Sequence, residues 1–284
     1  MSVPATGKVG VWSVEMRFGD AAASDRIAAE LQEMGFGAIW IPSGIDDGAP
    51  ADVERLLKAT RTITIATGIL NIWKHEPAEL AAWFKKLPRE WQARTLLGLG
   101  ISHAPLIGSD WGKPVKKMRE FLDALFGAGM PPDNTCLAAL GPKMLELSAD
   151  RTAGAHPYLV SPSHSAEARK ILGPGKLLAP EQGVVLVQDL NKAREIACGA
   201  LDHYRNLPNY RNNWSRMGFT EAEIENLDDR LLHAIFAFGD ASQAAERVRE
   251  HHAAGADHVC LQVIGETSTE GLLARYRELA EELF

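Results

Sequence analysis

Runs of apolar residues alternate along the chain with segments in which apolar residues recur every three or four positions. The runs are short and rich in β-branched residues, as in the sequence TITI at 62–65, and this composition is typical of strands. They predict eight strands, at residues 8–14, 38–42, 62–70, 95–100, 135–140, 156–160, 183–188 and 258–264.

The segments between these runs carry apolar stripes that predict helices. Leu80 and Phe84, for example, lie at i and i+4 and would share one helical face. A helix is expected from about Ser24 to the glycine at 35, and another begins at Asp240, a residue type that caps helices. Similar stripes predict helices at 50–61, 115–126, 142–148, 166–172, 190–207 and 231–238. Strands joined by such helices are expected to be parallel neighbours.

Eight strands that alternate with helices predict a (β/α)8 TIM barrel, formed by residues 1–284 as a single domain. The regular alternation of strands and helices is interrupted between the seventh and eighth predicted strands. There, residues 189–239 are expected to form a helical insertion, which would lie over the active-site end or at a subunit contact. An open doubly wound sheet is the alternative, but it usually has fewer strands and a glycine-rich first turn. The segment VEMRFGDAA, which follows the first strand, lacks such a turn.

Composition and net charge indicate which kinds of partner the protein binds. Hydrophobic residues make up 46% of the chain, charged residues 24%, and the formal net charge is -7, which argues against nucleic acid or an anionic membrane. A small-molecule ligand is expected instead. The sequence has no secretory signal pattern and no long apolar run, so a cytoplasmic location is predicted. The cysteines, at positions 136, 198 and 260, are spaced as buried reduced thiols would be.

Several segments resemble known binding motifs but lack residues that those motifs require. The segment 98–103 resembles a dinucleotide fingerprint, but His103 replaces its third glycine, and the segment 173–176 is too short for a phosphate loop. There is no H-E-x-x-H motif and no compact His/Asp/Glu cluster, so no metal site is expected. His251 and His252 are expected on the outer face of the last predicted helix.

The ends of the predicted strands carry the candidate functional residues. Gly141, Pro142 and Lys143 begin a helix after the fifth strand, where free N–H groups and a cation suit an anion, although a plain turn would look the same. Ser161 follows the sixth strand and adds a hydroxyl group. His103 follows the fourth strand, and its imidazole titrates where proton transfer is useful, although it could equally be an exposed loop residue. Weaker candidates near other strand ends are Glu15, Asn71, Trp73, His75 and His156.

Five segments, taken together, resemble the luciferase-like monooxygenase family, and most closely its actinobacterial members that use the 5-deazaflavin coenzyme F-420. They are GFGAIWIP at 35–42, ATGILNIW at 66–73, LLGLGISH at 96–103, GPKMLELSADRTAGAHPYLVSP at 141–162 and GDASQAAERVREHHAAGADHVCLQ at 239–262. The resemblance implies a barrel that is usually dimeric and holds a ring like isoalloxazine at the carboxyl ends of its strands. It also implies a non-prolyl cis peptide bond at Gly68-Ile69.

The resemblance further implies a set of coenzyme contacts. Ring contacts would come from the third and fourth strands, and phosphate contacts from the fifth and sixth. Several deazaflavin-dependent members have an acidic residue at position 103 and an Asp or His near position 43, and this chain differs at both. The implied contacts are Ser43, Gly68, Ile69, Asn71, Gly100, Ile101, Ser102, His103, Ala139, Gly141, Pro142, Lys143 and Ser161.

The resulting hypothesis is an oxidoreductase that transfers a hydride between coenzyme F-420 and an organic substrate, with His103 as general acid or base. An FMN-dependent monooxygenase is the alternative within the same family. A barrel that binds a flavin or deazaflavin without turnover is the alternative from another class. The sequence identifies neither the substrate nor the direction of transfer.

Overall fold

The structure is a computed structural model that describes residues 2–108 and 111–284. Its strands are β1 (Val9–Trp12), β2 (Ala38–Ser43), β3 (Thr64–Asn71), β4 (Thr95–Gly100), β5 (Thr135–Leu137), β6 (Gly154–Ala155), β7 (Leu177–Leu178), β8 (Glu181–Val185), β9 (Phe236–Phe238) and β10 (Val259–Val263). All of them pair in parallel in one sheet, in the order β7-β6-β5-β4-β3-β2-β1-β10-β8-β9. The predicted α/β class and parallel sheet are confirmed.

The helices alternate with these strands. They are α1 (Glu15–Phe18), α2 (Ala21–Glu33), α3 (Ala49–Ala59), α4 (Pro77–Lys86), α5 (Arg89–Gln92), α6 (Ala104–Ile107), α7 (Pro114–Gly127), α8 (Pro142–Arg151), α9 (Pro162–Leu172), α10 (Leu190–Leu201), α11 (Pro208–Arg216), α12 (Glu221–Glu225), α13 (Asp229–Ile235), α14 (Ala241–Ala253) and α15 (Thr269–Leu283). Short 3-10 turns lie at Pro132–Asn134 and Tyr204–Asn206. No helix among the described residues is long and apolar enough to cross a membrane.

The two ends of the sheet meet at one stretch of chain. Only Ala179 and Pro180 separate β7 from β8, so 177–185 is one extended segment. On one side the Ala179 N–H donates to Ala155 O at 2.9 Å, and on the other the Cys260 N–H donates to Pro180 O at 3.0 Å. This segment therefore joins β6 to β10.

The core has an inner and an outer part because successive side chains of a strand point to opposite faces. Ile39 and Ile41 pack in a large cluster with the helices, whereas Ala38 and Trp40 lie in a smaller cluster among strand residues. Cys136 and Cys260 belong to the smaller cluster and are buried, as predicted, and Cys198 is half-buried. Segment 189–239 has its own apolar cluster, built from α10 to α13 and β9.

Three strand predictions were wrong in position or number. The sixth strand is Gly154–Ala155 rather than 156–160, because Pro157 has no N–H for a ladder bond and Leu159 has a φ of 55°. The predicted seventh strand, at 183–188, corresponds to β8, which begins at Glu181. Residues 236–238 were predicted to end a helix, but they form β9 beside β8. Phe236 pairs with Gly183 there, so the backbone forms hydrogen bonds between strands instead of within a helix. The sheet therefore has ten strands rather than eight among the described residues.

Candidate functional site

A cavity of about 650 Å³ opens at the carboxyl ends of β3, β4 and β5. Ile69 enters it from β3, Gly100 ends β4 beside it, and α11 closes the far side with Asn209 and Tyr210. Its volume lies within the range of roughly 300–1,000 Å³ that is typical of small-molecule sites. The full lining is Ile69, Gly100, Ile101, Ser102, His103, Trp111, Pro114, Val115, Ala138, Ala139, Leu140, Gly141, Pro142, Lys143, Met144, His156, Tyr158, Asn209, Tyr210, Asn212 and Arg216.

Most of the residues predicted to contact a coenzyme line this one cavity. Those that do are Ile69, Gly100, Ile101, Ser102, His103, Ala139, Gly141, Pro142 and Lys143. The other four do not. Ser43 and Asn71 are buried, and the Asn71 amide donates to Gly44 O at 3.0 Å. Gly68 is half-buried beside Trp12 and His156, and Ser161 caps α9 with its hydroxyl group.

The wall formed by β3 has an irregular backbone. The peptide bond Gly68-Ile69 is cis, as the resemblance implied, and the pairing of β3 with β4 shifts register between Thr67 and Leu70. The Trp12 indole N–H donates to Gly68 O at 3.0 Å. A Cβ on Gly100 would lie 2.6 Å from Ile69 Cγ1, so the glycine leaves the space that the Ile69 side chain occupies.

His103 lies on the cavity wall directly after β4, where Ser102 has a φ of 65° and turns the chain into α6. The His103 Nδ1–H donates to Asn209 Oδ1 at 3.0 Å, and the ring lies 5.7 Å from that of Tyr210. Burial lowers the pKa of His103, and the hydrogen bond to Asn209 partly opposes this shift. The neutral ring therefore keeps its lone pair on Nε2, the atom that can take up or release a proton.

His156, one of the weaker candidates, forms part of the cavity floor. Its ring stacks on Trp40 with centroids 4.2 Å apart, and its Nδ1–H donates to Ala179 O at 2.7 Å. Burial lowers the pKa of His156 to about 4, so the ring is neutral at pH 7. Its Nε2 has no hydrogen-bond partner among the described residues.

The end of the cavity near α8 is positively charged. Lys143 lies in the first turn of α8, and Arg216 Nη2 lies 3.4 Å from where a Cβ of Gly141 would be. Neither cation forms a salt bridge within the described part of the chain. With the N-terminal amides of α8, they form a site suited to an anion such as phosphate.

Four of the lining residues that were not predicted are Asn209, Tyr210, Asn212 and Arg216. All lie in the polar, aromatic-rich segment 209–219, whose composition was the available indication. The prediction for His251 was wrong. Its side chain is fully buried, where Nε2–H donates to Gln182 Oε1 at 3.0 Å and Nδ1 accepts from the Ser165 hydroxyl at 2.8 Å.

Two other weak candidates, Trp73 and His75, do not line the cavity. The Trp73 indole N–H donates to Ile101 O at 2.8 Å, just outside the cavity. Burial lowers the pKa of His75, whose Nε2 has no hydrogen-bond partner in ranges 2–108 and 111–284. The same ranges contain no group of three or more His, Cys, Asp or Glu side chains arranged to hold a metal ion.

Comparison with known proteins identifies similar sequences and folds. The family model described as luciferase-like monooxygenase matches residues 3–130. No curated protein matches the sequence significantly.

Solved structures resemble the whole chain. An F-420-dependent secondary alcohol dehydrogenase in complex with an F-420-acetone adduct has a TM-score of 0.74 and 16% identity, over 100% of both chains. A coenzyme F-420-dependent tetrahydromethanopterin reductase from Methanopyrus kandleri has a TM-score of 0.71 and 13% identity, over 99% of both chains. The oxygenating constituent of 3,6-diketocamphane monooxygenase from Pseudomonas putida, in complex with FMN, has a TM-score of 0.70 and 12% identity, over 98% of both chains. The match over residues 3–130 confirms the resemblance of this chain to the luciferase-like monooxygenase family, and the solved structures confirm the likeness of its fold.

Proposed function

We propose that this protein is an oxidoreductase that transfers a hydride between coenzyme F-420 and a small organic substrate. The observation that carries the proposal is the 650 Å³ cavity, which has apolar walls, a titratable histidine and an anion-binding end. Two of the similar structures are described as F-420-dependent enzymes, which supports the choice of coenzyme.

The residues present fit a ring compound that carries a phosphate group. Ile69, Ile101 and Val115 offer apolar surface to a flat ring, and no carboxylate of residues 2–108 and 111–284 lines the cavity. At the other end, Lys143, Arg216 and the first turn of α8 offer charge and N–H groups to the phosphate. The coenzyme would supply the hydride donor or acceptor when bound.

The side chains of the cavity then have distinct roles. His103 would hold or take up a proton at Nε2, while Asn209 keeps the other ring nitrogen protonated. The apolar wall would exclude water from the reacting atoms. Tyr210 packs against His103 and limits its rotation.

Two other functions remain as alternatives. An FMN-dependent monooxygenase is favoured by the likeness to a monooxygenase in complex with FMN. A barrel that binds a flavin or deazaflavin without turnover would use the same walls and anion site but would not need His103.

Coenzyme choice can be tested by titrating the purified protein with F-420 and, separately, with FMN, while absorbance and fluorescence are recorded. We expect F-420 to bind, and Arg216→Met to weaken its binding by about 10- to 150-fold, since one charged hydrogen bond contributes roughly 1.5–3 kcal/mol. Arg249→Met, at a distant exposed arginine that pairs with Glu246, is the control. Binding of FMN alone would move the assignment to the monooxygenase.

Turnover can be tested with His103→Ala in single-turnover assays of coenzyme oxidation or reduction with panels of small alcohols, ketones and enones. Loss of a general acid or base should slow the reaction by about 10²- to 10⁴-fold when the coenzyme is saturating. Equal rates in the variant and the wild type would reject a catalytic role for His103.

We also propose that the strands close into a (β/α)8 barrel, in which 177–185 is the seventh strand and segment 189–239 is an insertion in a single domain of residues 1–284. The hydrogen bonds from 177–185 to β6 and β10 support closure. A homodimer and a cytoplasmic location stay predictions, and light scattering of the purified protein tests the first.

A further inference from the structure

A second cavity, of about 260 Å³, lies at the carboxyl ends of β1 and β10. Tyr158 lines both this cavity and the first, so the two cavities adjoin at this side chain. The second cavity is lined by Trp12, Ser13, Val14, Glu15, Tyr158, Leu159, Ala200, Tyr204, Phe236, Gln262, Val263, Ile264, Gly265, Glu266 and Thr267.

Aromatic rings form much of its wall. The ring centroid of Tyr158 lies 5.5 Å from that of Trp12 and 5.6 Å from that of Tyr204, and Phe236 adds a fourth ring. The Tyr158 hydroxyl donates to Gln262 Oε1 at 2.9 Å, which fixes the orientation of its ring. Ring faces of this kind attract cations and apolar groups.

Two half-buried carboxylates, Glu15 and Glu266, line the same cavity. The Ser13 hydroxyl donates to Glu15 Oε2 at 2.9 Å. Glu266 Oε1 accepts hydrogen bonds from Thr267 N, Ser268 N and the Ser268 hydroxyl, at 3.0, 2.9 and 2.7 Å. The second oxygen of each carboxylate has no hydrogen bond from the described residues.

No basic side chain of the described residues forms a salt bridge with these carboxylates. No Lys, Arg or His lines the cavity, and neither Glu15 nor Glu266 forms a salt bridge within residues 2–108 and 111–284. The hydrogen bonds from Ser268 lower the pKa of Glu266, with a smaller contribution from Arg275, which itself pairs with Glu278. Glu266 is therefore charged at pH 7.

Glu181 lies behind the wall, where its Oε2 accepts from Leu159 N at 3.1 Å. Burial raises the pKa of Glu181 to about 8, so it is mostly neutral at pH 7 and adds little charge. The cavity thus combines aromatic walls with two uncompensated negative charges, in a chain whose net charge is -7. This combination repels anions, and residues 2–108 and 111–284 contain no group of three or more His, Cys, Asp or Glu side chains that could hold a metal ion.

We propose that the second cavity binds the ammonium group of a small organic amine. The cation would lie against the rings of Trp12, Tyr158 and Tyr204 and be neutralised by Glu15 and Glu266. Binding of the cation does not depend on the coenzyme. The further step, that the amine is the substrate and extends past Tyr158 toward the first cavity, rests on the proposed function.

The test uses choline as the cation and 3,3-dimethylbutan-1-ol as its neutral isostere, with calorimetric titration of the full-length protein at low salt. We expect choline to bind at least about tenfold more tightly, because cation-aromatic attraction adds to the Coulomb attraction of the two carboxylates. Glu15→Gln and Glu266→Gln, each nearly isosteric, should weaken choline binding by about tenfold while leaving the alcohol unaffected. Glu76→Gln, at an exposed glutamate before α4, is the matched control and should bind choline like the wild type.

Three results would overturn the proposal: no choline binding by the folded wild type, equal affinity for choline and the alcohol, or unchanged affinity in both glutamine variants. Circular dichroism of each variant verifies folding, and the two glutamate variants provide independent tests. Coenzyme titration of the same samples separates the two proposals. Choline binding without coenzyme binding would leave the cation site standing and reject the oxidoreductase, and the reverse result would reject only the cation site.

Discussion

Replacing Gly68 by alanine would place a methyl group against two aromatic rings that have little freedom to move. The added Cβ would meet Trp12 Nε1 first, with Trp12 Cδ1 at 2.8 Å and His156 Nε2 at 2.9 Å. Ordinary contacts between such atoms lie at about 3.5–4.0 Å, so the rings would have to shift by close to 1 Å.

The cost of that shift follows from what holds each ring. Trp12 donates to Gly68 O at 3.0 Å, and His156 is held by Trp40 and by Ala179 O. Overpacking of a core costs about 1–3 kcal/mol, and a weakened hydrogen bond adds about 0.5–1.5 kcal/mol. We therefore expect Gly68→Ala to lower the free energy of unfolding by about 2–4 kcal/mol.

Urea unfolding followed by circular dichroism measures this change, and an unchanged m-value would indicate that the unfolded state is unaffected. Gly44→Ala is the control, because a Cβ there would meet no atom within 4 Å. Combining Gly68→Ala with Trp12→Leu, which removes the closest atoms, should reduce the cost of the alanine. If Gly68→Ala and Gly44→Ala differ by less than about 0.5 kcal/mol, the packing argument is refuted.

Three further changes have defined outcomes. Gly199→Ala, in the exposed part of α10 where a Cβ meets nothing within 4 Å, should raise the free energy of unfolding by about 0.5–1 kcal/mol, and urea unfolding that shows a loss would contradict this. The pKa of Glu181 is about 8 in the folded protein and 4.5 ordinarily, so the folded state binds the extra proton between these values and stability falls as pH rises through this window. Glu181→Gln lacks the titrating carboxyl group, so its free energy of unfolding should decline less steeply than that of the wild type between pH 5 and 8, by up to about 1.4 kcal/mol per pH unit. The same pH dependence in the variant and the wild type would refute this prediction. Asn209→Ala should lower the pKa of His103 in an NMR titration, because the hydrogen bond that favours the charged ring is lost, and an unchanged or higher pKa would exclude that bond.

The sequence determined the class of fold because its information is local. Apolar runs predicted the positions of β1 to β5 closely, because a strand that is buried on both faces needs continuous apolar residues. Gly35, with a φ of 100°, follows α2 as predicted, and Asp240 caps α14 with Gln243. The resemblance in the segment around Gly68 also indicated the cis peptide bond correctly.

Only the tertiary structure decided which distant residues share a cavity. Asn209 forms a hydrogen bond with His103, which lies 106 positions away in sequence. Arg216 approaches Gly141 from α11, and the sequence of this helix does not show which part of the fold it faces. His251 is buried because α14 turns that face toward Ser165 and Gln182, which a helical stripe cannot reveal. A side chain's neighbours across the fold depend on how helices and strands pack, and this packing is set by all the contacts at once. The sequence thus determined the elements and their order, and the packing of those elements decided the site.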